Sequence, residues 1–245
     1  PGGTEVVPAP DRVQAVTLRA VLLDLGGPVL DEEAEYEGWE ASSIRALAAE
    51  GVTVPPAEFA RELGAAIARC DPDAHLSAVW SFVRPDVDRF RRIRGAFRDQ
   101  RRAFVENPRG VAVRPEAREA IPTLAARYPL AIAANQPKTV LSQLEEAGLL
   151  GHFRWRRVSE GMGIGKPSPL FFRMILDGLG VSAEEAVMVG DRLDFDVFPA
   201  RLVGMRAVRV RVGLYAGQEP ISPLHVPDLT LATLAELPAA LASLG

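Results

Sequence analysis

The feature that most constrains this chain is the way its apolar runs end. Residues 18–24 (LRAVLLD), 130–135 (LAIAAN) and 186–191 (AVMVGD) are rich in Ala, Val, Leu, Ile and Met. Each stops on a polar residue: Asp24, Asn135 and Asp191. Unbroken apolar runs of this length are the pattern of strands buried on both faces. From residue 115 onward such runs alternate with helical spacing over 115–127, 137–148 and 168–179 and from about 194, with further strands near 154–159 and at 206–210. That alternation predicts an α/β fold, a doubly wound parallel sheet with helices on both faces. Ligands of open α/β sheets bind outside the carboxyl ends of the strands. The polar strand ends are therefore the candidate site residues.

The alternation is interrupted once. Between residues 32 and 111, Phe59, Leu63, Ile67 and Cys70 recur at near-helical spacing, as do Val87, Phe90, Ile93 and Phe97. Three to five helices are expected, broken at GVTVPP (51–56), CDPD (70–73) and RPD (84–86). The expected organisation is a loose leader over 1–17, a core from 18–31 and 112–245, and a helical insertion over 32–111. Pro28, Pro108 and Gly110 mark breaks, so a hinge is expected near 28–33 and 108–113. Residues 84–109 carry nine arginines interleaved with Asp86, Asp88, Asp99 and Glu106. A solvated, ion-paired helix face is the expectation there, with a minority of the arginines free to attract an anion. Trp80, Phe82 and Arg84 fit either a pocket floor or a packed core.

Composition narrows the function. The chain has 245 residues, enough for a core that needs no staples, and a net charge of −4, which argues against nucleic acid as a partner. No apolar run approaches the roughly 18 residues of a membrane span. The lone Cys70 excludes an internal disulfide and fits a cytoplasmic location. His75, His152 and His225 lie too far from it and from each other in sequence for a zinc motif.

Asp24 is followed at once by Leu25-Gly26-Gly27-Pro28. A carboxylate at the tip of a buried strand costs energy unless it is solvated, paired or metal-bound. The glycine backbone that follows can approach an anion or a metal closely. Lysine is rare: of 28 basic residues, Lys138 and Lys166 are the two lysines, and Lys166 stands in the Gly-rich segment EGMGIGKPSP. Lysine is a compact point charge that arginine does not replace.

Taken in order, LLDLGGPVL, AIAANQP, GIGKPSP and VMVGDRLDFD resemble the four motifs of the haloacid dehalogenase-like hydrolase superfamily, and the resemblance runs over roughly 18–240. It implies a Rossmann-like core with a C1-type helical cap, closed by the strand and helix of PDLTLATLAELPAAL. It further implies Asp24 as nucleophile and Lys166 as the neighbouring positive charge. Asn135, Gly26 and Gly27 become substrate-binding, and a magnesium ion is held by Asp24, the Gly26 carbonyl and Asp191, with Asp196 beside it. The implied reaction is attack by Asp24 on a small phosphorylated molecule, giving an aspartyl-phosphate that water hydrolyses.

The chain departs from the pattern in three places. Gly26 stands where the family's phosphatases usually carry an acid/base Asp, Ala134 where a phosphate-binding Ser or Thr is usual, and Pro28 where Thr is common. General acid–base catalysis is worth about 10²- to 10⁴-fold, so its loss would matter most for poor leaving groups. Asp71, Asp73 and His75 of the CDPDAH loop are the candidate replacement acids. Whether Gly26 leaves a water-filled gap beside Asp24 is a question for the structure. The alternatives are a phospho-ligand-binding protein on an impaired scaffold and a 2-haloacid dehalogenase.

Overall fold

The computed structural model describes the backbone of residues 17–106 and 112–243, and the side chains of all of these except 97–106 and 243. The chain order is β1 (Ala20–Leu23), β2 (Leu30–Asp31), α1 (Glu33–Ala49), α2 (Pro56–Ala68), α3 (Ala74–Val83), α4 (Val87–Glu106), β3 (Ala112–Val113), α5 (Pro115–Ala125) and β4 (Leu130–Ile132). There follow α6 (Thr139–Glu146), β5 (Phe153–Trp155), α7 (Ser159–Met162), α8 (Pro169–Leu179), β6 (Ala186–Gly190), α9 (Phe198–Leu202), β7 (Arg206–Val210), β8 (Leu229–Leu231) and α10 (Leu237–Ala240).

Six strands form one parallel sheet in the order β5-β4-β1-β6-β7-β8. β1 lies at its centre, with Leu23 in register with Ile132 of β4 and Val189 of β6. The strand order reverses around β1, which makes its carboxyl end the topological switch point of the sheet. Val21, Leu22 and Leu23 are fully buried, each contributing on the order of 1.5–3 kcal/mol relative to exposure. Their side chains alternate between two apolar layers. Val21 and Leu23 join Ile121, Leu124 and Phe153 on one face of the sheet. Leu22 joins Phe171, Phe172, Ile175 and Met188 on the other.

The four helices α1–α4 lie between β2 and β3, two short strands that pair antiparallel, Leu30 opposite Val113. Leu47, Phe59, Leu63 and Ile93 form a separate apolar cluster within these helices, joined by Tyr215 from the loop after β7. Trp80 packs edge-on against Phe90, and Phe82 stacks on Phe59, so of the two readings for this stretch the packed core is the one found. The described part of the arginine-rich helix pairs at the surface, Arg89 with Asp86, Arg91 with Asp88 and Arg92 with Glu50. Pro108, Gly110 and Arg109 and the side chains of Arg98, Arg101 and Arg102 lie outside the described residues, as does the leader up to residue 16.

Several boundaries differ from those expected. β4 ends at Ile132, level with the end of β1, so Asn135 stands beyond the strand and not on it. α6 begins at Thr139, after Pro137. The helix expected from about 194 opens as a wide turn over Leu193–Val197, in which Val197 N–H reaches back to the Arg192 carbonyl. A turn with that i→i+5 bond rotates the side chains it carries, and such turns recur at functional sites.

Candidate active site

Asp24 follows the last residue of β1, and its backbone N–H donates to the Val189 carbonyl of β6. Asp191 follows the last residue of β6 in the same way. The two carboxylates therefore leave adjacent strands side by side. Asp196, carried inward by the wide turn, completes a group of three in which one oxygen from each lies within 4.8 Å of the others. Lys166 reaches in from the loop before α8, with Nζ 2.9 Å from Asp24 Oδ2 and 2.6 Å from Asp196 Oδ1. The other oxygen of Asp196 accepts from Arg192 N–H at 3.0 Å, so both are used. Asp24 Oδ1 accepts from Leu25 N–H at 2.8 Å.

All four side chains are buried. Burial pushes the Asp24 carboxyl up to about 7, against the pull of the Lys166 ammonium and with a further push from Asp196. Burial likewise holds Asp191 well above the usual carboxylate range, with Asp196 and Asp24 adding repulsion. For Lys166 burial acts downward, but Asp196 and Asp24 outweigh it and raise the ammonium. Three carboxylates thus face one ammonium in a buried site. A hard divalent cation with oxygen ligands fits that donor set, because it supplies the charge the buried acids lack.

A cavity of about 350 Å³ opens over this group. Its floor includes Asp24, Lys166 and Asp191, and its far wall comes from the helical insertion through Tyr36, Trp39 and His75. Arg192 reaches the same cavity, its guanidinium 4.0 Å from the Phe195 ring centroid and 4.1 Å from that of Tyr215, and paired with Asp194.

A family model for haloacid dehalogenase-like hydrolases matches residues 18–204. The chain belongs to the haloacid dehalogenase-like hydrolases. A phosphoserine phosphatase of Thermus thermophilus is 42% identical over 143 residues, 57% of this chain and 55% of the relative. A glyceraldehyde 3-phosphate phosphatase of Methanopyrus kandleri is 46% identical over 74 residues, 30% of this chain and 32% of the relative. The chain thus spans about half or less of the length of these relatives. Among solved structures, a HAD phosphatase from Thermococcus onnurineus is 26% identical with a TM-score of 0.58, over 91% of this chain and 98% of the other. A 2-haloacid dehalogenase from Pseudomonas syringae is 24% identical with a TM-score of 0.59, over 94% and 100%. A phosphatase and a dehalogenase share the fold, so fold alone does not select the reaction.

Within this haloacid dehalogenase-like hydrolase, the residues expected at the site fall into three groups. Asp24, Lys166, Asp191 and Asp196 converge as described. Asn135 also lines the cavity, but its carboxamide is turned to the backbone of Lys166, accepting from its N–H at 2.8 Å and donating to its carbonyl at 2.7 Å. Gly26 lines the cavity, while Gly27 takes a positive φ of 79° directly against Asp191. Ala134, in place of the usual hydroxyl residue, is buried in the apolar layer with Leu25 and Val29. Of the candidate replacement acids, Asp71 is engaged by Ser77 Oγ and Asp73 N–H, whereas Asp73 and His75 reach the cavity wall.

Gly26 leaves no open gap beside Asp24. The carboxyl group of Glu32 occupies that space: a Cβ built on Gly26 would lie 2.9 Å from both Cδ and Oε1 of Glu32, and closer still to Oε2. Sequence reasoning missed Glu32, Gln136, Tyr36 and Arg192. No local signal marked the first, since Glu32 stands six residues after Gly26, at the junction before α1.

Proposed function

We propose that this hydrolase is a magnesium-dependent phosphatase of a small phosphorylated metabolite. The observation that carries the reading is the Asp24–Lys166–Asp196 bridge at the carboxyl end of the central strand, with Asp191 alongside. Lys166 holds Asp24 in one orientation and favours its ionised form. Asp24 attacks phosphorus, the bond to the leaving oxygen breaks, and an aspartyl-phosphate forms; water then attacks phosphorus and frees Asp24. Lys166 stands beside the transferring group and offsets its developing charge. Asp24, Asp191 and Asp196, with the Gly26 carbonyl, are the residues that would hold magnesium. Bound there, the ion would offset the repulsion between the carboxylate and the phosphoryl oxygens.

Cavity size supports a small substrate, and the aromatic wall with Arg192 supports one carrying both an apolar and an anionic part. The named relatives act, by name, on phosphoserine and glyceraldehyde 3-phosphate, both small phosphomonoesters. The single free cysteine, Cys70, is consistent with a cytoplasmic enzyme. The test is phosphate release from a panel of small phosphomonoesters with and without magnesium, for wild type and Asp24→Asn. Metal-dependent turnover that disappears in the variant is expected. Turnover that survives in Asp24→Asn rules out this nucleophile, and chloride release from 2-chloropropionate without phosphate release would identify a dehalogenase instead.

A further inference from the structure

The carboxyl group beside Gly26 belongs to a residue outside the motif it touches, six positions on and past β2. Glu32 is the residue that precedes α1, at the junction between β2 and the helical insertion. It is buried, 8% exposed, and lines the same cavity as Asp24. An aspartate at position 26 would project its carboxyl one bond beyond its Cβ. Glu32 brings a carboxyl into the same space, with Cδ and Oε1 both 2.9 Å from where that Cβ would be and Oε2 closer still. Gln136 and Tyr36 are among the residues that hold it there. Gln136 Nε2 donates to Oε1 at 2.5 Å, and the Tyr36 hydroxyl donates to Oε2 at 3.2 Å. Both come from segments that border the substrate space, the loop after β4 and the first turns of α1.

We infer that Glu32 is the general acid and base of this enzyme, a carboxyl delivered from the start of the insertion in place of one at position 26. This rests on the phosphatase reading above. Gly26 then has a reason: any side chain there would displace the Glu32 carboxyl. In the first step the Asp24 oxygen bonds to phosphorus as the bond to the leaving oxygen breaks, and protonated Glu32 gives its proton to that oxygen. In the second, the Glu32 carboxylate takes a proton from water as the water oxygen bonds to phosphorus. The bond from phosphorus to Asp24 breaks and inorganic phosphate leaves. Each step transfers one proton, and Glu32 ends protonated as it began. Because Glu32 leads directly into α1, movement of the insertion would carry the proton donor with it.

The leaving group separates this role from a structural one. Glu32→Gln keeps the size of the side chain and its contacts with Tyr36 and Gln136 can be remade, so folding is checked by its melting curve beside wild type. With p-nitrophenyl phosphate and magnesium, where the leaving group needs no proton, the variant should release about one equivalent of p-nitrophenolate per site in a fast burst. A steady state about 10²- to 10⁴-fold below wild type should follow. With an alkyl phosphate the first turnover itself should fall by about that range. The double variant Gly26→Asp/Glu32→Ala should exceed Glu32→Ala on the alkyl substrate by about tenfold or more. Glu32→Gln within about threefold of wild type on both substrates overturns the inference. So does an equal slowing of both first turnovers, or a double variant no faster than Glu32→Ala. A wild-type enzyme inactive on both substrates overturns the phosphatase reading and this inference with it; an active wild type with an indifferent Glu32 overturns this one alone.

Discussion

Asn135 and Lys166 are joined through both ends of one carboxamide, Oδ1 accepting from the Lys166 N–H and Nδ2 donating to the Lys166 carbonyl. The pair ties the loop after β4 to the loop before α8 across the mouth of the sheet. It also fixes the backbone from which the Lys166 side chain reaches Asp24.

Asn135→Ala removes both bonds and leaves the Lys166 peptide groups without those partners. A stability loss of about 1–3 kcal/mol is expected. Misplacing Lys166 should lower kcat by about tenfold or more, since catalytic geometry tolerates little displacement. Asn135→Asp keeps the acceptor and loses the donor, so its stability should fall between wild type and Asn135→Ala. Urea denaturation and steady-state kinetics on the same preparations would check both. A variant with unchanged stability and reduced kcat would instead make Asn135 a substrate contact.

Lys166 is the ammonium between two buried carboxylates, and its removal has a separable consequence. Lys166→Met takes one partner out of a buried ionic group, a change that costs roughly 3–5 kcal/mol. That loss should appear in metal-free buffer and shrink when magnesium is added, because a cation can supply part of the missing charge. Turnover should be lost in both conditions. Equal denaturation midpoints for wild type and variant without metal would show that Lys166 does not carry the electrostatic load assigned to it.

Removal of the metal should act on stability as well as on rate. Burial raises Asp24, against the pull of Lys166, and Asp191, so a cation that binds the folded state stabilises it by mass action. At a hundred times its dissociation constant the gain is about 2.7 kcal/mol. Wild type should melt higher in magnesium than in chelator, and Asp191→Asn should show little of that difference. An undiminished shift in Asp191→Asn would place the ion elsewhere.

The sheet was legible in the sequence because strands buried on both faces leave unbroken apolar runs, and β1, β4 and β6 do so. The convergence of Asp24 and Asp191 was legible too, since both follow the ends of strands that pair. What escaped was geometry that depends on where a side chain from another segment ends. Gly26 reads along the chain as a missing carboxylate, whereas in space the carboxyl of Glu32 stands there. No local pattern announces that substitution, because six residues and a change of element separate the two. The wide turn over Leu193–Val197 escaped for a similar reason. Its register is set by Asp196 reaching Lys166 and the Arg192 N–H, not by the helical propensity of its own residues.

Gly27 offers a test in which backbone strain and crowding can be separated. Its φ of 79° lies in the left-handed region, and a Cβ there would stand 2.8 Å from Asp191 Cγ and 2.9 Å from Oδ2. Gly51 has nearly the same φ, 78°, yet a Cβ on it would meet nothing within 4 Å. Each Gly→Ala change should carry the conformational cost of a left-handed L-residue, about 1–2 kcal/mol. Only Gly27→Ala also pushes the Asp191 carboxylate out of place. Gly51→Ala should therefore lose stability and keep its magnesium affinity and kcat. Gly27→Ala should lose more stability, and its magnesium affinity should fall by about 10- to 100-fold, the range seen when the support of a metal ligand is disturbed. Magnesium titrations followed by thermal shift, with the two variants side by side, provide the measurement. If both variants lose magnesium affinity equally, the effect is general weakening of the fold. If neither does, Asp191 is free to move and its close approach to Gly27 does not position the ligand.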